Sequence, residues 1–130
     1  MSHVATYKTA ICNANDTFVQ SACEMTAADF GGEVSVGGNV TDYVGRNAQS
    51  ADYVIKSQRF NFGLGVRSKS GGNLEFVGDL SMPGARELMD RFQQHYGVMA
   101  MRAAAAETGA SFSGMQTLKD GTIELALEVA

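Results

Sequence analysis

The feature that most limits what this chain can fold into is a long segment with helical periodicity, residues 83–108. Its apolar and aromatic side chains recur at three- and four-residue steps, the spacing of one buried helix face; they are Leu88, Phe92, His95, Tyr96, Met99, Ala103 and Ala106. Arg86 with Asp90, and Glu87 with Arg91, place opposite charges four residues apart on the other face. Such a helix would be about 39 Å long, and other elements must pack along it.

The ends and the middle of this helix carry separate signals. Pro83 suits the first helical position, where no amide donor is missed. Gly109 can adopt the left-handed conformation that often follows a last turn. Gly97 lies mid-helix, where glycine is unfavourable by about 1 kcal/mol relative to alanine, so either a bend or a closely packed neighbour is expected there.

A second, shorter helix is predicted for residues 13–30. Asn13 or Asn15 can cap it through a side-chain oxygen, and Gly31-Gly32 ends it. A narrow apolar stripe on it is formed by Phe18, Ala22 and Met25.

The remaining segments are typical of strands. Residues 3–11 and 51–56 alternate with β-forming side chains, and residues 33–43 predict a strand bent at its glycines. A glycine-rich turn separates residues 59–67 from residues 74–80, which predicts a hairpin.

A second hairpin is expected after the long helix. It turns at Lys119-Asp120-Gly121, and residues 122–129 place Ile123, Leu125, Leu127 and Val129 on one face, toward the helix. In the first hairpin, Gly63 and Gly65 share a face, so another segment is expected to pack close to the backbone there.

The order of the elements predicts the fold class. Runs of consecutive strands favour an α+β fold, with a mostly antiparallel sheet of five to seven strands and two helices packed on one face. At 130 residues, the chain is expected to form a single α+β domain, residues 1–130.

Composition excludes several classes of protein. The net charge of −4 argues against broad binding of phosphate backbones, so nucleic acid is not the expected partner. Cys12 and Cys23 are too few for a disulfide scaffold and predict reduced thiols in the cytoplasm. An N-terminal apolar run and a 20-residue apolar span are both absent from the sequence, so neither a signal peptide nor a membrane partner is expected.

Four stretches, in constant order, resemble one family. They are Met1-Ser2-His3 with Lys8, Thr9 and Ile11; residues 43–45 (Tyr-Val-Gly) with 51–55 (Ala-Asp-Tyr-Val-Ile); residues 62–65 (Phe-Gly-Leu-Gly) with 74–79 (Leu-Glu-Phe-Val-Gly-Asp); and residues 92–96 (Phe-Gln-Gln-His-Tyr) with 120–127 (Asp-Gly-Thr-Ile-Glu-Leu-Ala-Leu). Together they resemble the small hypothetical chloroplast open-reading-frame family of algal plastids and cyanobacteria, a domain of unknown function with relatives in other bacteria.

The resemblance implies an α+β domain and no catalytic residues. Residues 13–38 depart from the family pattern. So does Leu80-Ser81-Met82, where relatives often carry an aromatic pair.

Candidate chemistry is sparse. His3 and His95 lack the ligand spacing of a metal site, so no metal and no cofactor is predicted. Neither cysteine has a nearby base in the sequence that would make it a nucleophile. A pocket between the long helix and the sheet, lined by His95, Tyr96 and His3, is the alternative hypothesis: small-ligand binding or an enzyme.

The favoured interpretation is a non-catalytic cytoplasmic domain that acts through protein contacts, including self-association. In the second half of the long helix, Val98, Met101 and Ala105 continue the side that is polar in the first half. This leaves an apolar strip that a second copy could cover, so we expect a homodimer, with a further protein partner as another option. Cover by the chain's own first helix or a loop is the open alternative.

RNA binding is a further alternative hypothesis. It would use the basic group formed by Lys56, Arg59, Arg67 and Lys69, which is interleaved with Tyr53, Phe60 and Phe62.

Overall fold

The computed structural model describes residues 4–12, 14–68, 73–108, 110–117 and 123–129. Within these ranges it describes side chains up to residue 107, apart from those of Ala10 and Cys12. In chain order, the elements of this described part are β1 (Ala5–Cys12), α1 (Asp16–Asp29), β2 (Glu33–Val40), β3 (Gln49–Ser57), β4 (Phe60–Ser68), β5 (Asn73–Gly78), α2 (Ala85–Thr108), β6 (Ala110–Thr117) and β7 (Ile123–Val129).

Five of these strands form the main sheet, in the order β1-β5-β4-β3-β2, and every neighbouring pair is antiparallel. Strands β6 and β7 form a separate antiparallel pair that packs against α2. The predicted class, an α+β fold with a mostly antiparallel sheet and two helices packed on it, is therefore confirmed. The hairpins β4–β5 and β6–β7 also lie where the sequence predicts them.

The main core lies between the sheet and the two helices. Phe92 of α2 is fully buried; its ring meets that of Phe76 on β5 edge-on, with centroids 5.4 Å apart, and stacks on that of Tyr96 at 6.3 Å. The predicted buried residues Leu88, Phe92 and Tyr96 all belong to this core. Side chains of this kind contribute about 1.5–3 kcal/mol each when buried.

A smaller cluster covers the other face of the sheet. It contains Val40, Ala51, Val54 and Val77. A Cβ atom added at Gly63 would lie 2.8 Å from Cγ1 of Val54, so the close approach predicted at this glycine face is present.

The long helix differs from its prediction at its first turn. Gly84 has φ +94°, a left-handed conformation that cannot belong to the helix, so α2 begins at Ala85 and Pro83 precedes it. The helix is continuous through Gly97. Arg86 pairs with Asp90 as predicted, at 3.7 Å, whereas Arg91 pairs with Asp29 of α1 and not with Glu87.

Two predicted buried positions are wrong. Met25 is 45% exposed, because the buried face of α1 lies one residue further round the helix, at Ala22, Cys23 and Thr26. Ala106 is exposed and its neighbour Ala105 is buried instead. The cap prediction is confirmed at Asn15, whose side chain accepts a hydrogen bond from the Phe18 amide.

Several predictions fall outside the described residues. These are the turn at Lys119-Asp120-Gly121, the helix-capping role of Gly109 and the inward side chains Ile123, Leu125, Leu127 and Val129.

Replacing Gly65 by alanine is expected to lower the free energy of unfolding. A Cβ atom there would lie 2.6 Å from Cγ1 of Val77 and 2.7 Å from Cβ of Ala51, both closer than contact allows. Overpacking of this kind costs about 1–3 kcal/mol. Urea denaturation measures the loss, which should shrink when Gly65→Ala is made in a Val77→Ala background. A Gly65→Ala protein as stable as the wild type would contradict this packing.

Candidate functional site

Strand β2 forms one edge of the main sheet. It pairs in register with β3 from Glu33 opposite Lys56 to Val40 opposite Gln49. On its other side, no strand of the described part of the chain pairs with it. Such an edge presents backbone donors and acceptors that another strand can use.

Two valines of β2 point toward the helix side of the sheet. Val34 lies opposite Ile55 and Val36 opposite Tyr53, and both of these partners belong to the helix-side core. Val34 is half-buried, but Val36 is 74% exposed. Single exposed apolar side chains are common on protein surfaces. The residues around Val36 therefore decide whether its exposure indicates a binding surface.

A groove of about 250 Å³ runs between α1 and β2 beside these valines. It is lined by Gln20, Glu24, Ala27, Ala28, Gly32, Val34 and Val36. Alanine and valine side chains thus contribute its apolar lining, and α1 contributes two longer polar side chains.

The turn between α1 and β2 lies beside this groove, and its Gly32 is one of the lining residues. Gly31 takes a left-handed φ of +65°, and the amide of Gly32 donates to the Ala27 carbonyl, which closes the end of the helix. A Cβ atom at Gly32 would collide with the carbonyl oxygen of Lys56. Glycine at position 32 therefore lets the chain turn from α1 directly into the edge strand β2.

Glu24 is the acidic side chain that α1 contributes to the groove lining, beside Gln20, and α1 contains no lysine or arginine. Asp16, at the start of α1, is not one of the lining residues. Asp16 accepts a hydrogen bond of 2.9 Å from the Tyr53 hydroxyl. Burial, with Asp16 adding to it, raises the pKa of Tyr53 to about 12, so this hydroxyl stays a donor at neutral pH.

Two of the three predicted pocket residues, Tyr96 and His95, contact opposite ends of α1. The Tyr96 hydroxyl accepts from the Asn15 amide at 3.0 Å, near the start of α1. Nε2 of His95 lies 2.6 Å from Oδ2 of Asp29, at its end, and Arg91 donates to the same oxygen. His3 lies outside the described residues. A ligand role for His95, Tyr96 and His3 stays a prediction.

A cavity of about 200 Å³ does lie between the helices and the sheet, but other residues line it. They are Phe30, Ser57, Gln58, Arg59, Gly84, Glu87 and Leu88.

The predicted interface residues differ in exposure. Met101 is 40% exposed, Val98 is half-buried and Ala105 is buried within the chain. The methyl group of Ala105 is thus covered within the chain, whereas Met101 keeps exposed surface. The interface role of Val98, Met101 and Ala105 stays a prediction.

The described groups offer little reactivity. Burial raises the pKa of the Cys23 thiol to about 12, which removes the thiolate at neutral pH. Among the described residues, no group of three or more histidine, cysteine, aspartate or glutamate side chains is placed to hold a metal ion. No described helix is both long and apolar enough to cross a membrane.

The basic group considered for RNA has two of its three aromatic residues, Tyr53 and Phe60, inside the fold. Phe60 is fully buried and Tyr53 nearly so, so neither ring can stack on a base. Arg67 is bound to Glu75 at 2.6 Å, and Lys69 lies outside the described residues. RNA binding by this face stays a prediction.

We expect the Asp29 cluster to make stability depend on pH. Burial alone would raise the pKa of the Asp29 carboxyl, but hydrogen bonds and charge from His95 and Arg91 outweigh it and lower the pKa. The resulting stabilisation is complete above the ordinary aspartate pKa of about 3.9 and is lost as pH falls through the lowered folded value.

Denaturation of the wild type and Asp29→Asn across acidic pH tests this. The variant should be less stable by no more than about 1 kcal/mol near pH 6, since water screens the pair, and the difference should vanish in acid. Asp90→Asn, which removes a longer and more exposed pair, should have a smaller effect. A difference that does not change with pH would contradict the assignment.

Comparison with known proteins identifies a protein family for this chain. No curated protein and no solved structure matches the chain. The model of a protein family of unknown function, DUF1257, matches residues 27–126, which include the groove from Ala27 onward, the main sheet after β1, and α2. Because this match covers more than half of its length, the chain belongs to the DUF1257 family of proteins of unknown function.

Proposed function

We propose that this protein acts without catalysis, by binding an extended segment of a protein partner along the outer edge of β2. The observation that carries the proposal is the exposure of Val36, at 74%, on an edge strand beside a groove. Strand addition to a sheet edge is a recurring mode of peptide recognition, in which backbone hydrogen bonds give affinity and alternate side chains give specificity.

The backbone geometry of β2 limits how many of its residues can pair with an added strand. An added strand would lie about 4.8 Å beyond β2, with every second side chain directed over the groove. Gly37 and Gly38 have φ values of +76° and +130°, which take the backbone out of regular strand geometry after Val36. The usable ladder is therefore residues 33–36, and such a short ladder suits a weak, reversible complex.

The proposal also covers the narrower family, the domain organisation and the cellular location. We place the protein with the small open-reading-frame proteins of algal plastids and cyanobacteria, on the support of the four ordered stretches of sequence. We treat residues 1–130 as one domain. A cytoplasmic location is supported by the buried, free thiol of Cys23.

A photoreactive amino acid at position 36 tests the binding edge. In the native host, it should cross-link repeatedly to one segment of a partner, whereas the same amino acid at the exposed Glu87 on α2 should not. A synthetic peptide of that segment should then slow amide hydrogen exchange at residues 33–36. Equal cross-linking from both positions, or a peptide that leaves exchange at residues 33–36 unchanged, would refute strand addition.

Self-association through α2 is a second candidate, favoured by the 40% exposure of Met101 next to half-buried Val98. With Ala105 buried, Met101 would be the centre of a two-fold interface.

Met101→Lys is expected to convert a dimer to a folded monomer, because a lysine amine cannot be buried without a partner. Light scattering measures the mass, and circular dichroism checks the fold. Val36→Lys is the matched control and should leave the dimer intact. A monomeric wild type would exclude this interface.

A further inference from the structure

We infer that the cavity between the helices and the sheet binds a free α-amino acid with an apolar side chain. This cavity of about 200 Å³ shares no lining residue with the groove beside β2, so the site is independent of the proposed strand addition. Its lining combines apolar side chains with one positive and one negative side chain, which is the combination that such a zwitterion requires.

Two apolar side chains of the main core form the floor of the cavity. Leu88, on the first turn of α2, is 2% exposed. The ring of Phe30, at the end of α1, packs against the same core, and Cζ of Arg91 lies 5.4 Å from its centroid. Because these contacts hold the ring in place, Phe30 and Leu88 present a preformed apolar surface to a ligand side chain.

Two opposite charges belong to the same cavity. Arg59 lies in the two-residue turn between Ser57 and Phe60, which pair with each other across β3 and β4. A Cβ atom at Gly84 would lie 3.9 Å from Cβ of Arg59, so this turn lies against the start of α2. The Gly84 carbonyl accepts the first hydrogen bond of α2, and Glu87, three residues further on, lies on the same face of the helix. Arg59 and Glu87 therefore line the cavity from opposite sides.

Neither of these charges is balanced by a neighbour. In the described part of the chain, no ion pair or side-chain hydrogen bond involves Arg59 or Glu87, whereas the nearby Arg91 is bound to Asp29. A simple anion would be repelled by Glu87, and a simple cation by Arg59. A zwitterion suits both groups, because its carboxylate can bind the guanidinium while its ammonium binds the Glu87 carboxylate.

The volume and the floor limit the size and type of the ligand. A water molecule occupies about 30 Å³ in the liquid, so the cavity has the volume of about six or seven waters, close to that of valine or leucine. A drug-sized ligand needs about 300 Å³ or more. A charged or strongly polar side chain would be desolvated against Phe30 and Leu88 without a partner, so an aliphatic side chain is favoured.

Four small molecules test the inference on the intact protein. L-leucine carries both charges and the aliphatic side chain, isocaproate lacks only the ammonium, isoamylamine lacks only the carboxylate, and glycine lacks the side chain. Each is titrated into ¹⁵N-labelled protein while the amide resonances of residues 57–59 and 84–88 are followed.

L-leucine should shift these resonances and bind about two- to fivefold more tightly than isocaproate or isoamylamine, as expected of exposed ion pairs. Glycine should bind more than about tenfold more weakly than L-leucine, because it buries no apolar side chain. Arg59→Gln should abolish the preference for L-leucine over isoamylamine, and Glu87→Gln the preference over isocaproate. Arg86→Gln removes a charge from the same turn of α2 outside the cavity and should preserve both preferences.

Three results would overturn the inference. If L-leucine leaves residues 57–59 and 84–88 unshifted, the cavity is not a ligand site. If L-leucine, isocaproate and isoamylamine bind equally, neither charge is recognised and the amino acid is wrong. If Arg86→Gln weakens L-leucine as much as Arg59→Gln does, the attraction comes from the general surface charge. None of these results bears on strand addition at β2.

Discussion

The contact between Phe92 and Phe76 fixes the long helix on β5, an inner strand of the sheet, and the position of the groove depends on it. With α2 held there, α1 is attached to α2 near both of its ends. The Asn15 amide donates to the Tyr96 hydroxyl at one end, and Asp29 binds Arg91 and His95 at the other. Since α1 cannot slide outward over the sheet, β2 remains an edge whose Val36 is uncovered.

Two buried carboxylates hold the connection that follows β2. Asp42 accepts hydrogen bonds from the amides of Val44 and Arg46, and Asp79 accepts from the Tyr43 amide and the Ser81 hydroxyl. Buried acids are tolerated only when donors of this kind surround them. The loop after the edge strand is thereby tied to the segment that follows β5, so the far end of β2 is anchored by hydrogen bonds to buried carboxylates.

The sequence predicts those parts of the fold in which one periodicity dominates. Periodicity predicted the long helix and both hairpins. Residue type predicted the Asn15 cap and the close packing at Gly63. Met25 could not be placed, because several alanines and a cysteine on α1 leave its apolar stripe ambiguous by one residue. Prediction also failed at Pro83, where Gly84 with a positive φ separates the proline from the helix.

The candidate site was harder to predict than the fold. His95 and Tyr96 are neighbours in the sequence, but adjacent helical residues point about 100° apart, and these two bind opposite ends of α1. The groove depends on which strand is the edge, and strand order is not visible in local periodicity. A signal was present in the alternation of Val34 and Val36, which places both side chains on one face of the strand.

An exposed valine on an edge strand is normally a liability, since unpaired edges promote aggregation. Here the glycines after Val36 shorten the regular part of the edge, and Glu24 of α1 places a negative charge beside it. This charge and the net charge of −4 disfavour pairing with another copy of the chain. The same two glycines would limit a partner segment to the short ladder at residues 33–36, so the feature that keeps the edge from pairing at length with itself also favours a reversible complex.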